Sequence, residues 1–127
     1  MDTKGASDGS AVDTSPLVVY IVLRKDLGWP VGATASQAAH AVLAAVWTYK
    51  DHPDTIAYGT DLENMRQVLL ECPTEHALLS LAETLEKQGI DHKVWIEQPE
   101  NVKVALATRP YRKSVIGHFF KALKLFK

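Results

Sequence analysis

The chain has 127 residues, 46% of them hydrophobic, with one cysteine and a formal net charge of −1. That length supports one core burying roughly two-thirds of the unfolded surface and is too short for two ordinary domains. A lone cysteine excludes an internal disulfide, and no apolar run approaches the roughly 20 residues of a membrane span. The near-neutral total conceals an asymmetry: seven Lys or Arg and no acidic residue follow Asn101, which leaves −8 on the first hundred residues.

Residues 1–15 are small, polar and mildly acidic, and they cannot supply apolar area to offset their ordering entropy, so the expectation is a disordered tail ahead of a domain at 16–127. The tail lacks the apolar stretch of a signal peptide and the arginines of a mitochondrial presequence. With the single Cys72, this predicts a reducing, cytoplasmic setting. Leu17–Leu23 is β-branched and almost wholly apolar, as expected of a strand covered on both faces, and the strand is placed at 17–24. A helix is expected over about 34–50, with Gly32 in the turn before it and Thr34 or Ser36 capping its first amides. Its alanines at 35, 38, 39 and 41 allow a close approach to the sheet.

A short helix is expected near 54–60, then a strand at 66–71 stopped by Pro73. Thr74 caps the next helix, whose apolar residues Leu78, Leu81, Ala82 and Leu85 repeat at helical spacing and whose stop is Gly89. Strands at 92–97 and 102–108 flank a turn at Gln98–Asn101. A last helix over 112–124 is expected to bury Val115, Ile116, Phe119, Phe120 and Leu123. The predicted architecture is a single α/β domain, β-α-β-α-β-β-α, with a four-stranded mixed sheet and helices on both faces.

Chemistry concentrates where the first strand gives way to its helix. Ser36, Gln37 and His40 fall within one helical turn, next to the Lys25-Asp26 corner. Each residue also has an ordinary structural reading: His40 on a neighbouring carbonyl, Gln37 satisfying loop amides, Asp26 capping a turn. The five histidines show no zinc-ligand spacing with the one cysteine, and there is no P-loop or dinucleotide fingerprint, so neither a metal nor a cofactor is indicated. Cys72 lacks a basic neighbour that would make it a nucleophile. Trp47 and Trp95 read as core, whereas Trp29, between Gly28 and Pro30, is the tryptophan placed to stack on a nucleobase.

The order strand, Arg24-Lys25-Asp26-Leu27, short Gly-containing loop, then Ala35-Ser36-Gln37-Ala38-Ala39-His40-Ala41 resembles the opening of the type II peptidyl-tRNA hydrolase family. Cys72-Pro73-Thr74, Asp91 through Asn101, and Arg109-Pro110-Tyr111 resemble its peptidyl-tRNA hydrolase domain-containing group. The resemblance spans about residues 17–127. It implies cleavage of the ester joining a peptidyl or N-acyl-aminoacyl group to the 3′ ribose of tRNA, without cofactor or metal. For that reaction the chain's own residues offer His40 as the base and Gln37 or Gln98 as oxyanion donors, with Lys25, Asp26, Trp29, Arg109, Arg112 and Lys113 as the candidates for substrate binding, the basic ones as a footprint for phosphates. The family places Lys-Gly-Lys before the Gln-x-x-His helix, where this chain reads Val31-Gly32-Ala33, and an aspartate where it reads Gln98. The expected activity is therefore weak. The alternative is a non-catalytic tRNA- or ribosome-binding module on the same fold, and a protein-interaction domain using the last helix is a third reading. No membrane partner is expected; a homodimer is an open partner state.

Overall fold

A computed structural model describes residues 12–127. Its strands are β1 (Leu17–Arg24), β2 (Arg66–Cys72), β3 (His92–Glu97), β4 (Val102–Thr108), β5 (Tyr111–Arg112) and β6 (Lys124–Leu125). Its helices are α1 (Val31–Thr48), α2 (Pro53–Thr60), α3 (Glu75–Lys87) and α4 (Lys113–Ile116). The sheet order is β3-β4-β1-β2-β6, with β5 pairing the start of β1. β1 and β2 are parallel, while β4 is antiparallel to β1 and β3 to β4. The carboxyl ends of β1, β2 and β3 therefore meet at one edge.

The uninterrupted apolar run of β1 follows from its central place. Val18, Tyr20 and Val22 face one side, with Leu78 and Leu85 of α3 and with Ile116 and Phe120; Val19, Ile21 and Leu23 face the other, with Ala41 and Ala45 of α1. Alternation at period two sends one strand into both cores. The Thr74 hydroxyl accepts from the Ala77 amide at 3.1 Å, capping α3 as expected. Gly89, at φ +70, ends it while the Ile90 amide bonds back to Leu85.

Three details differ from the sequence expectation. Helix α1 begins at Val31, directly after Pro30, whose φ of −57 already suits a helix start, and no side chain caps it. Thr34 and Ser36 instead turn their hydroxyls back to the carbonyls of Pro30 and Gly32. The positive φ of the connection falls on Gly28 rather than Gly32.

The expected last helix breaks up. Only Lys113–Ile116 is α-helical; a 3-10 turn at Gly117–Phe120 follows, and β6 then pairs antiparallel with β2. Phe120 stacks on Tyr20 at 4.4 Å, Ile116 is buried, and Val115 is left 48% exposed. Burying Phe120 on the sheet and completing the β2 edge outweigh continuation of a helix across Gly117. With β5 and β6, the sheet has six strands rather than four.

The expected tail lies mostly outside the described residues, which begin at Val12. Of its last part, Asp13 accepts from the Ser114 hydroxyl at 2.5 Å, and the Ser15 carbonyl accepts from Arg112. No helix among the described residues is long and apolar enough to cross a membrane.

Candidate active site

At the carboxyl edge of β1 and β3, the first turns of α1 lie against Trp95. Gln37 is 3% exposed and works in both directions: its Nε2 donates to the Ala33 carbonyl at 2.9 Å, and its Oε1 accepts from Trp95 Nε1 at 3.1 Å. The same indole N–H is shared with Glu97 Oε1 at 3.0 Å. The imidazole of His40 stacks on the indole, with centroids 4.6 Å apart and planes 12° from parallel. His40 itself is exposed, so one face of its ring is held by tryptophan while the side chain remains open to water. A bulge helps to place the indole: Trp95 pairs with Ala105 but Ile96 with Lys103, leaving Val104 as the extra residue on β4.

Trp95 and Glu97 were not among the candidates read from sequence. Their signal was there, since residues two apart on a strand share a face. Gln37, by contrast, has both ends of its amide engaged in holding Ala33 and Trp95. In that geometry the buried amide fixes the Trp95 indole, and its second N–H is the group left for the oxyanion role expected from the motif. Gln98 sits on the exposed turn after β3, where its amide donates to Asn101 Oδ1 at 3.3 Å. Ser36, expected in the cluster, spends its hydroxyl on the Gly32 carbonyl.

The family model described as peptidyl-tRNA hydrolase PTH2 matches residues 17–126, which takes in every element of this site. The chain belongs to the peptidyl-tRNA hydrolase PTH2 family. Two relatives are similar over most of their length, both named "Putative peptidyl-tRNA hydrolase PTRHD1". The Homo sapiens protein is 49% identical over 123 residues, covering 93% of this chain and 88% of its own. The Mus musculus protein is 47% identical over the same spans.

On this PTH2 frame, the residues expected to bind substrate divide between two edges. Asp26 is at the carboxyl edge, tied to Arg24 by two hydrogen bonds of 2.9 and 3.0 Å that hold its carboxyl below the usual range. Lys25 is beside it, over the Phe126 ring at 4.2 Å, donating to the Lys127 carbonyl and near Glu71. Lys124 lines the same hollow. Trp29 is half-buried against the α1-side core, which leaves only part of its ring for stacking.

Arg109, Arg112 and Lys113 lie at the opposite edge, because β4 runs antiparallel to β1. The eight residues of β1 put about 25 Å between the two. Lys25 and Arg109 therefore do not share one corner of the molecule. Arg109 is also only 6% exposed: it pairs with Asp91 at 2.9 Å and Asp54 at 3.2 Å, bonds the Pro110 carbonyl, and lies over the Tyr111 ring. It is a structural clamp. Arg112 is turned to the Ser15 carbonyl, and Lys113 is exposed.

Cys72 is buried, its Sγ donating toward the Thr74 carbonyl at 3.6 Å, and burial pushes its thiol up to about 11. Burial of this kind disfavours the thiolate that a nucleophile at neutral pH would need. Trp47, read as core, is 67% exposed on α1.

Proposed function

We propose that this protein hydrolyses the ester between a peptidyl or N-acyl-aminoacyl group and tRNA, in the cytoplasm, more slowly than PTH2 members that carry the family lysine. Family membership supports the substrate class. The single observation supporting the chemistry is the His40 imidazole, held flat on a tryptophan whose N–H is locked by Gln37 and Glu97, at the carboxyl edge of the sheet. Imidazole is the side chain whose ordinary titration falls near neutral pH. In this reading His40 accepts a proton from water as the water oxygen attacks the ester carbonyl carbon. The tetrahedral adduct then expels the 3′ ribose oxygen, which takes the proton back from His40, giving tRNA with its 3′ hydroxyl and a carboxylic acid that loses its remaining proton to water at neutral pH.

The oxyanion needs a donor near His40. The uncapped amides at the start of α1 are too far, since Gly32 precedes His40 by eight residues, about 12 Å along the axis. They suit a phosphate of the single-stranded acceptor end instead. The sequence candidates for that donor are Gln37, whose amide lies one helical turn before His40, and Gln98, whose amide would have to leave Asn101; Lys25 and Lys124 assist with phosphate. With no ammonium group on α1, transition-state charge is less well met than in a lysine-bearing member.

That same absence favours the second reading, a tRNA- or ribosome-binding module without turnover. The deciding experiment assays N-acetyl-aminoacyl-tRNA with this protein and a lysine-bearing PTH2 member in parallel, alongside tRNA binding. Slow turnover that saturates with substrate supports the hydrolase; binding with no turnover above the uncatalysed rate supports the module, and neither binding nor turnover rejects both.

A further inference from the structure

Glu97 brings more hydrogen-bonding capacity to the site than the Trp95 indole uses. The indole N–H holds one proton, and the buried Gln37 already accepts it through Oε1 at 3.1 Å, which fixes the ring without help from β3. Glu97 Oε1 approaches the same N–H at 3.0 Å and shares it. Its second oxygen, Oε2, accepts no hydrogen bond and meets no cation among the described residues, although the side chain is half-buried. Helix α1, packed on β3, has no Lys or Arg to pair with it. A carboxylate offers about four acceptor sites, and most of these are unused here.

The free oxygen is placed beside the chemistry. The 3.0 Å bond sets the carboxylate at the N–H edge of the indole, and the 4.6 Å stack sets the His40 imidazole over its face. A substrate whose ester carbonyl is within reach of water on His40 therefore brings its neighbouring groups to Glu97. Two of those groups are donors: the 2′ hydroxyl, on the ribose carbon next to the one bearing the ester, and the N–H of the blocked α-nitrogen. The second is poorly suited to a carboxylate, which would hold the charged ammonium of an unblocked aminoacyl group more strongly than a neutral N–H. The hydroxyl has no such competitor and makes a short, charge-assisted O–H···O⁻ bond.

We propose that Glu97 accepts a hydrogen bond from the 2′ hydroxyl of the terminal ribose, aligning the ester with His40 and selecting a ribonucleotide end. The 2′ hydroxyl is the group by which a protein tells RNA from DNA at a single contact. The alignment of an ester rests on the hydrolase reading; the contact itself does not, since an uncharged tRNA end carries the same hydroxyl.

The test compares N-acetyl-aminoacyl-tRNA ending in adenosine with the same molecule ending in 2′-deoxyadenosine, in single turnover, each rate divided by the uncatalysed rate of that ester. The wild type is expected to lose about 10- to 100-fold on the deoxy substrate, the scale of a hydrogen bond to a charged group. Glu97→Ala should lose a similar factor on the ribose substrate and show a deoxy penalty of at most about 3-fold. Should it misfold, Glu97→Gln, which keeps an oxygen for the indole, carries the test, with a deoxy penalty at least about 3-fold smaller than the wild type's. Equal wild-type rates on the two substrates overturn the proposal. So does a folded variant slowed by one factor on both, which would leave Glu97 only a support for Trp95, or one whose altered preference is between N-acetylated and free aminoacyl ends. If the wild type turns over neither substrate, the hydrolase reading fails, and affinity for uncharged tRNA with the two ends decides the contact: a ribose preference lost in Glu97→Ala supports it, and no preference overturns it.

Discussion

Trp95 lies parallel to His40, ring centroids 4.6 Å apart, and its indole N–H is held by a buried glutamine one helical turn before that histidine. The imidazole is therefore set by side chains from two elements, α1 and β3. Removing Gln37 should disturb His40 without touching it. Gln37→Leu is expected to lower kcat by about 10- to 100-fold with little change in KM, the scale of a misplaced catalytic group. Trp95→Phe should do the same, and the double variant should fall no further than the worse single one, because both act through one placement. Steady-state kinetics on N-acetyl-aminoacyl-tRNA check this.

Phosphate binding should follow the carboxyl edge. If Lys25, Lys124 and Lys127 each contact a phosphate, log affinity for tRNA falls with log salt at a slope of about −2 to −3. Lys124→Glu should flatten that slope by about one unit, while Lys113→Glu, on the far edge, leaves it unchanged. Equal effects of the two variants would remove the edge assignment.

Arg109 should matter for stability and not for RNA. Arg109→Ala leaves Asp54 and Asp91 without their common partner, although both carboxylates are about a third exposed, at 32% and 38%. The cost is expected at roughly 2–4 kcal/mol, near the lower end for a broken buried pair. Urea unfolding measures it, and the salt slope of tRNA binding should match the wild type.

The Cys72 thiol, raised from 9.0 to about 11 by burial, should resist iodoacetamide at pH 8 in the folded protein and react quickly once unfolded. The sign for stability follows from which state holds the proton. The folded state keeps it to higher pH, so this contribution is complete below pH 9 and is lost as pH rises through about 11. Cys72→Ala should weaken that alkaline decline in the urea midpoint.

Much of the fold was legible because local chemistry and tertiary need agree. The apolar run of β1, the Thr74 cap and Gly89 stop of α3, and the bounds of β3 and β4 all lie in their own segments. The last helix was not legible, because the Phe120 stack on Tyr20 and the pairing of β6 with β2 are made by residues a hundred or about fifty positions away. Arg109 misled for the same reason: its partners Asp91 and Asp54 are 18 and 55 residues distant, so in sequence it is only a cation in a basic stretch. At the site, His40 and Gln37 stood out by helical spacing. Glu97 was masked by the neighbouring Gln98-Pro99-Glu100, and Trp95 by the usual place of tryptophan in a core. Trp47 erred the other way, since apolar spacing on α1 does not say which stripe meets the sheet.

The most direct test of the central claim is single-turnover deacylation of N-acetyl-aminoacyl-tRNA by the wild type and His40→Ala, with His76→Ala, at an exposed position of α3, as control. Loss of a general base predicts a fall of about 10²- to 10⁴-fold for His40→Ala, with the control at the wild-type rate and tRNA affinity unchanged. A His40→Ala rate equal to the wild type's would contradict the account, since the Gln37–Trp95–Glu97 arrangement would then be positioning a residue that the reaction does not use.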